Sequence, residues 1–250
     1  MKSIWITGAS SGIGKALAIK FANEGWQVAA SARREDLLNK IAESNKNISS
    51  FPLDVTDGEK CKEIFGQIKN KLQSIDICFF STGTWDPKKE KDIDVDQMKK
   101  VMNVNFFGTL NCIKAVEKYF REKNSGHISI VSSIAGYRGL PNSTGYGASK
   151  AALNNLAESL YFDFGRNNVR VSLISPGFIK TQMTDKNQFK MPFLKTAEYA
   201  ADKIYKGLIN GSSFEIDFPK ELTLILKFLK LLPDRIYFSL IKILTKYQKR

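Results

Sequence analysis

The stretch that decides the fold is Thr7-Gly8-Ala9-Ser10-Ser11-Gly12-Ile13-Gly14, near the start of the chain. The apolar segment Ser3–Thr7 precedes it, and the helical pattern Gly14–Glu24 follows it. A strand, a glycine turn and a helix in this order are typical of a dinucleotide-binding unit, whose helix N-terminus faces a phosphate. In chain order, the three glycines permit a tight turn, close approach of a pyrophosphate, and close packing of the helix on the strand.

Strand and helix patterns alternate along the chain. The predicted strands are Ser3–Thr7, Gln27–Ala32, Ser49–Leu53, Ile75–Phe80, Gly126–Ser132, Arg170–Ile174 and Ser213–Ile216. The predicted helices are Gly14–Glu24, Arg34–Asn45, Gly58–Leu72, Val95–Arg121, Tyr146–Phe164 and Ala197–Leu208. This alternation indicates the α/β class, a Rossmann-type doubly wound parallel β-sheet flanked by helices, with functional residues at the carboxyl ends of the strands.

Composition indicates one compact unit. The chain has 250 residues, 43% of them hydrophobic, which suffices for one large core. Its three cysteines, Cys61, Cys78 and Cys112, show no CxxC spacing and predict a reducing, cytoplasmic location. We see no signal-peptide pattern and no apolar run of the ~20 residues that span a bilayer. Residues 1–215 are assigned to a dinucleotide-binding and catalytic domain, and 216–250 to an amphipathic helical extension of the same compact unit.

A second motif, Tyr146-Gly-Ala-Ser-Lys150, lies in a predicted helix, and Ser133 precedes Tyr146 by thirteen residues. Residues four apart share a helix face, so the phenol and the ammonium are expected to point into the same space. A phenol ionises near pH ~10, and a neighbouring positive charge lowers that pKa. Such a tyrosine can exchange a proton with a substrate oxygen.

Together, the two motifs are specific. From about Lys2 to Glu215 the chain resembles the classical short-chain dehydrogenase/reductase family. The resemblance is carried by Thr7-Gly8-x-x-x-Gly12-x-Gly14, Asp54, Asn105, Ser133, Tyr146-x-x-x-Lys150 and Pro176-Gly177. It implies hydride transfer between a nicotinamide cofactor and a carbonyl or carbinol carbon.

The resemblance also implies roles for single residues. Tyr146 would be the general acid in reduction and the base in oxidation, and Lys150 would lower its pKa and bind the nicotinamide ribose. Ser133 would donate to the substrate oxygen. Asn105 would kink its helix and hold a relay water, the alternative being an ordinary polar helix residue. The implied cofactor-binding set is Gly8, Ser10, Ser11, Gly12, Ile13, Gly14, Arg33, Arg34, Asp54, Val55, Gly83, Tyr146, Lys150, Pro176, Gly177, Ile179 and Thr181.

The end of the second predicted strand bears on the choice of cofactor. NAD binders carry an acidic residue there, whereas NADP binders use an arginine for the 2′-phosphate. The acidic position aligns with Ala32, and Arg33 and Arg34 follow it, with Arg33 better placed for the phosphate. We therefore predict NADP(H). NAD(H) stays open, because Glu35 and Asp36 follow and the two arginines could simply be solvated.

Three further positions carry expectations. Asp54 resembles the family residue that binds the adenine amino group, the alternative being an N-terminal cap of the next helix. Where the family usually reads Asn-Asn-Ala-Gly, this chain has Phe80-Ser81-Thr82-Gly83, which removes two asparagines that help brace the sheet. The single histidine, His127, has no partner at ligand spacing, which predicts a surface role and no metal site.

The segment after Thr181 occupies the family's substrate-loop position. Its apolar residues predict a lid over a lipophilic ketone or alcohol, and the alternative is that they only pack the loop onto the core. The residues concerned are Met183, Phe189, Met191, Phe193 and Leu194, with Trp85 and Tyr137 as additions.

The C-terminal segment extends beyond the family's usual end. Lys220–Leu232 and Asp234–Arg250 each show a polar stripe on an otherwise apolar helix, with a hinge at Pro233. The stripes are Thr223, Lys227, Lys230 and Asp234 in the first segment, and Arg235, Ser239, Lys242, Lys246 and Lys249 in the second. Three interpretations stay open: packing on the core or cleft, a homo-oligomer interface, and shallow contact with an anionic membrane at its inner face.

Other function classes are less well supported. The net charge of +13 would attract nucleic acid non-specifically, but no nucleic-acid motif accompanies it, so the expected partner is a small carbonyl or alcohol. The complete set of Ser133, Tyr146 and Lys150 argues against a cofactor-binding regulator that has lost catalysis. An extended-type epimerase or dehydratase on the same fold is a further alternative.

Overall fold

The computed structural model describes residues 1–86, 93–187 and 190–245. Within them, seven parallel strands form one sheet in the order β3-β2-β1-β4-β5-β6-β7. The strands are β1 (Ser3–Thr7), β2 (Gln27–Ala32), β3 (Ile48–Pro52), β4 (Ile77–Phe80), β5 (Gly126–Val131), β6 (Val169–Pro176) and β7 (Glu215–Phe218). The strand order reverses between β1 and β4, where open α/β sheets bind their ligands. The predicted doubly wound α/β fold is confirmed.

Nine α-helices belong to the described residues. They are α1 (Gly12–Asn23), α2 (Glu35–Ser44), α3 (Gly58–Leu72), α4 (Val95–Met102), α5 (Gly108–Lys123), α6 (Thr144–Gly165), α7 (Ala197–Asn210), α8 (Lys220–Leu231) and α9 (Asp234–Leu244). The prediction of one continuous helix over Val95–Arg121 is wrong, because a π-helical segment, Asn103–Phe107, separates α4 from α5. Such segments occur mostly as single turns inside α-helices, frequently at functional sites.

Two apolar cores cover the two faces of the sheet. Ile4 and Ile6 of β1 pack with α1, α2 and α7, while Trp5 between them packs with α3, α5 and α6. Alternate residues of a strand point to opposite faces, so a strand buried on both sides is apolar throughout. The three cysteines lie in the second core as free thiols.

His127 does not have the predicted surface role. It lies in β5, hydrogen-bonded between β4 and β6, with only 5% of its surface exposed. Its Nε2 atom is 2.8 Å from Oγ of Ser172. Burial, helped by the nearby Arg170, lowers the pKa of the imidazole to about 3, so it stays neutral.

The C-terminal extension forms the two predicted helices, which pack on the loop after β5. Leu229, Tyr237 and Ile241 form a small separate core there. The hydroxyl of Tyr237 donates to the carbonyl oxygen of Gly139 at 2.8 Å, and the guanidinium of Arg138 lies 4.0 Å from the Tyr237 ring centroid. None of the described helices is long and apolar enough to cross a membrane. Phe189 of the predicted lid, and Lys246, Lys249 and Arg250 of the extension, lie outside the described residues.

Candidate active site

The turn after β1 places glycines where no side chain fits. Gly8 and Gly12 have φ angles of 70° and 54°, a region that favours glycine. A Cβ atom on Gly14 would lie 2.4 Å from the carbonyl oxygen of Gly8. Helix α1 therefore begins directly on the turn, with Ser10 buried and Ser11 and Ile13 half-buried around it. Its N-terminus at the carboxyl end of β1 is a site suited to phosphate.

Arg34 contacts this glycine loop. Its Nη2 atom donates to the hydroxyl oxygens of Ser10 at 3.0 Å and Ser11 at 2.8 Å. Its Nη1 atom donates to Oε1 of Gln182 at 3.2 Å. The side chain thus joins the end of β2, the glycine loop and the substrate-loop segment. The sequence favoured Arg33 over Arg34 for a cofactor phosphate, and that choice stays a prediction.

Arg33 and Asp54 face each other across the ends of β2 and β3. Nη1 of Arg33 lies 3.9 Å from Oδ2 of Asp54, and both side chains are exposed. The other carboxylate oxygen of Asp54 accepts from the N–H and the hydroxyl of Thr56. Helix α3 is capped by Asp57 instead, so the alternative interpretation of Asp54 as that cap is wrong. Val55, next in the chain, is buried.

Ser81 braces the sheet where the family's asparagines are missing. Its hydroxyl donates to the carbonyl oxygen of Thr7 at 2.6 Å, and its N–H donates to the Thr7 hydroxyl at 3.2 Å. These bonds join the ends of β1 and β4, so the expected loss of bracing is compensated. A Cβ atom on Gly83 would lie 3.8 Å from Nζ of Lys150 and 3.6 Å from Oδ1 of Asn105. The backbone of Gly83 therefore lies against the predicted catalytic residues.

Three of the predicted catalytic residues converge beyond β5. Tyr146 and Lys150 lie in the first turns of α6, and Nζ of Lys150 is 5.6 Å from the Tyr146 ring centroid. The ammonium is buried and donates to the carbonyl oxygen of Val131 at 2.8 Å. The Ser133 hydroxyl, at the end of β5, accepts from the N–H of Ala135 at 3.2 Å. Ser133 also hydrogen-bonds the Tyr146 phenol.

Asn105 lies in the π-helical segment and is fully buried. Its amide brackets the backbone of Thr84, accepting from the N–H at 2.7 Å and donating to the carbonyl oxygen at 3.1 Å. It also donates to Oγ of Ser149 at 3.0 Å, and Ser149 donates to the carbonyl oxygen of Tyr146 at 2.7 Å. The expected distortion of this helix is confirmed. The relay water stays a prediction.

The charges of the site differ from the sequence-based expectation. Burial raises the pKa of the Tyr146 phenol above its ordinary value, while the hydrogen bond with Ser133 lowers it. Burial also lowers the pKa of the Lys150 ammonium to about 8. The Tyr146 pKa is therefore raised on balance, and not lowered as predicted, because desolvation of the phenol outweighs the hydrogen bond with Ser133. A protonated phenol is the form that donates a proton to a carbonyl oxygen.

The segment after β6 closes over the glycine turn. Pro176 ends the strand, and the N–H of Gly177 donates to the carbonyl oxygen of Phe218 at 2.7 Å. Ile179 is buried. A Cβ atom on Gly12 would lie 3.0 Å from the methyl group of Thr181. Thr181 therefore lies against the glycine loop, beside the cleft that open α/β sheets form where the strand order reverses.

The predicted lid residues differ in how far they are exposed to solvent. Met183 and Met191 are half-buried, whereas Phe193 and Leu194 are exposed. The Trp85 ring lies beside the predicted catalytic tyrosine, with its centroid 5.4 Å from that of the Tyr146 ring and its plane at 35° to it.

Tyr137 has a different role from the predicted lid. Its hydroxyl donates to Glu215 of β7 at 2.6 Å.

The sequence alone assigned no role to four polar residues of this region: Ser81, Thr84, Ser149 and Gln182. They act through contacts with the backbone or with residues far along the chain, for which the sequence carries only weak signals. Only Ser149 could have been singled out from its position, because it lies within the Tyr146–Lys150 motif.

The cleft fits a dinucleotide. The turn of Gly8, Gly12 and Gly14 has no room for side chains, and the helix N-terminus behind it can accept a pyrophosphate. Arg34 offers a cation at one end of the cleft, and Tyr146 with Lys150 lies at the other. In the described part of the chain no group of three or more histidine, cysteine or acidic side chains could hold a metal ion.

Comparison with known proteins agrees with this geometry. Residues 2–191 match the family model of short chain dehydrogenases. The chain is 32% identical over 236 residues to an uncharacterized oxidoreductase of Myxococcus xanthus, covering 93% of each chain. It superimposes on a short-chain dehydrogenase of Streptomyces avermitilis with a TM-score of 0.82 at 21% identity, covering 100% of this chain and 99% of that one. It also superimposes on ElxO, solved with NADP bound, with a TM-score of 0.76 at 28% identity, covering 86% and 97%. This chain belongs to the short chain dehydrogenase family of oxidoreductases.

Proposed function

We propose that this protein is an NADP(H)-dependent oxidoreductase that interconverts a carbonyl and a secondary alcohol on a lipophilic small molecule. The observation that carries the proposal is the convergence of Ser133, Tyr146 and Lys150 beside Gly83, at the end of the cleft that begins at the glycine loop.

A positive end of the cleft supports NADP(H). The position after β2 that an NAD binder fills with a carboxylate is Ala32, and two arginines follow it. Arg34 already donates to Ser10 and Ser11, so a guanidinium and two hydroxyls surround the place expected for a 2′-phosphate. Arg33, exposed and 3.9 Å from Asp54, is free to turn toward the same group. ElxO, at 28% identity, holds NADP in its solved structure.

The cofactor would supply or accept the hydride. Tyr146, with a pKa above its ordinary value, is protonated at neutral pH and would give its proton to the carbonyl oxygen. Ser133, which hydrogen-bonds the Tyr146 phenol, lies close enough to donate a second hydrogen bond to the same carbonyl oxygen. Lys150, with a pKa of about 8, is still mostly charged at neutral pH and stabilises the phenolate that forms.

The surroundings of Tyr146 favour an apolar substrate. Trp85 covers one side of its ring and limits the access of water. Met183 and Met191 of the substrate loop are half-buried, and Phe193 and Leu194 offer further apolar surface. A sugar would leave its hydroxyls without partners on such surfaces.

The reaction class is tested with a panel of ketones, aldehydes and alcohols, following nicotinamide absorbance. Tyr146→Phe keeps the ring but removes the proton, so turnover should fall by about 10²–10⁴-fold while NADPH binding persists. Tyr161→Phe, an exposed tyrosine of the same helix, is the control. Near wild-type rates in Tyr146→Phe would refute the assignment. Tight NADPH binding without turnover of any substrate would favour the regulator instead.

The cofactor choice is tested by separate titrations with NADPH and NADH. We expect NADPH to bind at least about tenfold more tightly, which is a modest free energy for a charge-assisted phosphate contact. Arg34→Ala and Arg33→Ala each should reduce that preference, whereas Arg166→Ala, an exposed arginine beyond α6, should not. Equal dissociation constants in the unaltered protein would refute the proposal.

A further inference from the structure

Helix α8 directs part of its polar surface toward the protein. Thr223 is fully buried, and the Lys227 ammonium pairs with Glu215 at 2.7 Å and Asp217 at 3.2 Å on β7. Lys220, at the start of the helix, pairs with Asp217 at 2.6 Å. A surface helix usually turns its charged residues to water and its apolar residues to the core. In α8 this arrangement is partly reversed.

The reversal leaves apolar side chains outside. Leu222 and Leu229 point inward, but Phe228 is 64% exposed and Leu231 is 82% exposed. The exposed apolar residues of α8 are spaced at helical intervals on one face: Leu224, Ile225, Phe228 and Leu231. Unpartnered apolar residues grouped on one face are typical of a surface that meets another apolar phase.

Helix α9 also carries exposed apolar residues. Tyr237 and Ile241 hold it to the small core beside the loop after β5. Arg138 donates to the carbonyl oxygens of Lys230 and Leu232, which fixes the junction between the two helices. The outer tail surface, as we name it, consists of the exposed apolar residues of both helices: Leu224, Ile225, Phe228, Leu231, Ile236, Phe238, Ile243 and Leu244.

The charges around the outer tail surface are unbalanced. Each acidic residue of the described extension is paired: Asp217 with two lysines, Glu221 with Lys195, and Asp234 with Arg138. By contrast, Lys230, Arg235 and Lys242 are exposed and have no ion pair within the described residues. The uncompensated charge is therefore positive, as is that of the whole chain, at +13.

We infer that the outer tail surface docks on an anionic lipid bilayer. Exposed apolar residues on two helices that lie on the protein surface, with free lysines and arginine beside them, match an interfacial amphipathic anchor. A second copy of the chain is a poorer occupant, because a two-fold interface would bring the same unpaired cations of two strongly basic molecules together.

Vesicle co-sedimentation of the intact protein tests the inference. The probes are vesicles of phosphatidylcholine alone and of phosphatidylcholine mixed with phosphatidylglycerol. We expect binding to the mixed vesicles only, weakening severalfold between about 0.1 and 0.5 M KCl. The double variant Phe228→Ser with Leu231→Ser should weaken binding by at least about tenfold, since it removes two inserting side chains that make little contact with the core.

Two matched control variants distinguish docking of the outer tail surface from non-specific adsorption to vesicles. Tyr161→Ser with Phe162→Ser removes an exposed apolar pair elsewhere, at 51% and 70% exposure, and should leave binding unchanged. Neutralising the unpaired tail cations should weaken binding more than neutralising three exposed cations elsewhere. The two sets are Lys230, Arg235 and Lys242, against Lys40, Lys69 and Lys71, each changed to glutamine.

Three results would overturn the inference. The first is no binding to anionic vesicles. The second is binding that both double variants, or both charge variants, reduce equally. The third is a dimer in sedimentation that the Phe228→Ser, Leu231→Ser variant dissociates while vesicle binding is absent, which would assign the surface to a second copy.

Discussion

One buried side chain, His127, should make the stability of this protein fall as the pH is lowered. The imidazole is buried in the centre of the sheet beside Ser172, and its pKa is lowered to about 3 from an ordinary value near 6.5. The unfolded chain therefore takes up a proton on His127 as the pH falls through 6.5, while the folded chain does not. Stability is full above that pH, and is lost progressively as the pH falls toward about 3.

The magnitude follows from the two pKa values. At about pH 5 the unfolded state is stabilised by roughly 2 kcal/mol relative to about pH 8, because its His127 is protonated there and the folded one is not. This figure depends on the unfolded pKa alone as long as the folded pKa is below about 4. Any folded value near 3 therefore gives the same prediction.

The assay is chemical denaturation followed by tryptophan fluorescence, since Trp5 is fully buried in the core beneath the sheet. The free energy of unfolding is measured at several pH values between about 5 and 8, for the unaltered protein and for His127→Gln. Glutamine can still meet Ser172 but cannot titrate. Carboxylates contribute to both curves, so the difference between them isolates the imidazole.

Two results would contradict this reasoning. One is an equal dependence of stability on pH in both proteins between 6.5 and about 5. The other comes from proton NMR: the chain has one histidine, so its imidazole signals are unambiguous, and titration in the folded state with a midpoint above about 5 would show that the ring is accessible to protons.

Three further changes have defined outcomes. Gly14→Ala places a Cβ atom against the carbonyl oxygen of Gly8, so it should abolish NADPH binding or folding; an unchanged dissociation constant would contradict the close packing. Ser81→Ala removes the hydroxyl bond that joins the ends of β1 and β4 and should lower the free energy of unfolding by about 1 kcal/mol; an unchanged denaturation midpoint would show that the bond adds nothing. Arg138→Ala removes the donors to the C-terminal carbonyl oxygens of α8, so hydrogen exchange in α8 and α9 should accelerate while that of β1 stays constant; equal exchange in the variant would argue against this anchor.

The architecture could be predicted because it depends on local patterns. The strands Ser3–Thr7 and Gln27–Ala32 and the helix Gly58–Leu72 have the predicted bounds, since continuous apolar runs and amphipathic periods need no distant partner to be recognised. The glycine loop and the Tyr146–Lys150 spacing are equally local, because each motif is recognised within its own short segment. The distortion of the helix at Asn105 was expected from the family resemblance, but the partner of Asn105, Thr84, lies twenty-one residues away and leaves no local pattern.

Where prediction failed, the deciding partner lies far along the chain. His127 looked solitary because Ser172 follows it by forty-five residues, and a strand neighbour at that distance leaves no local pattern. The contact of Arg34 with the glycine loop likewise joins segments more than twenty residues apart, whereas the predicted role of Arg33 toward a cofactor phosphate stays a prediction.

The same reasoning explains α8. Its pattern predicts an amphipathic helix but not which side faces the protein, because β7 supplies the carboxylates that draw Lys227 inward. An ion pair held by an adjacent strand can thus orient a helix against its own hydrophobic pattern. Covering Phe228 and Leu231 with another apolar surface is therefore favourable, because it removes their side chains from water.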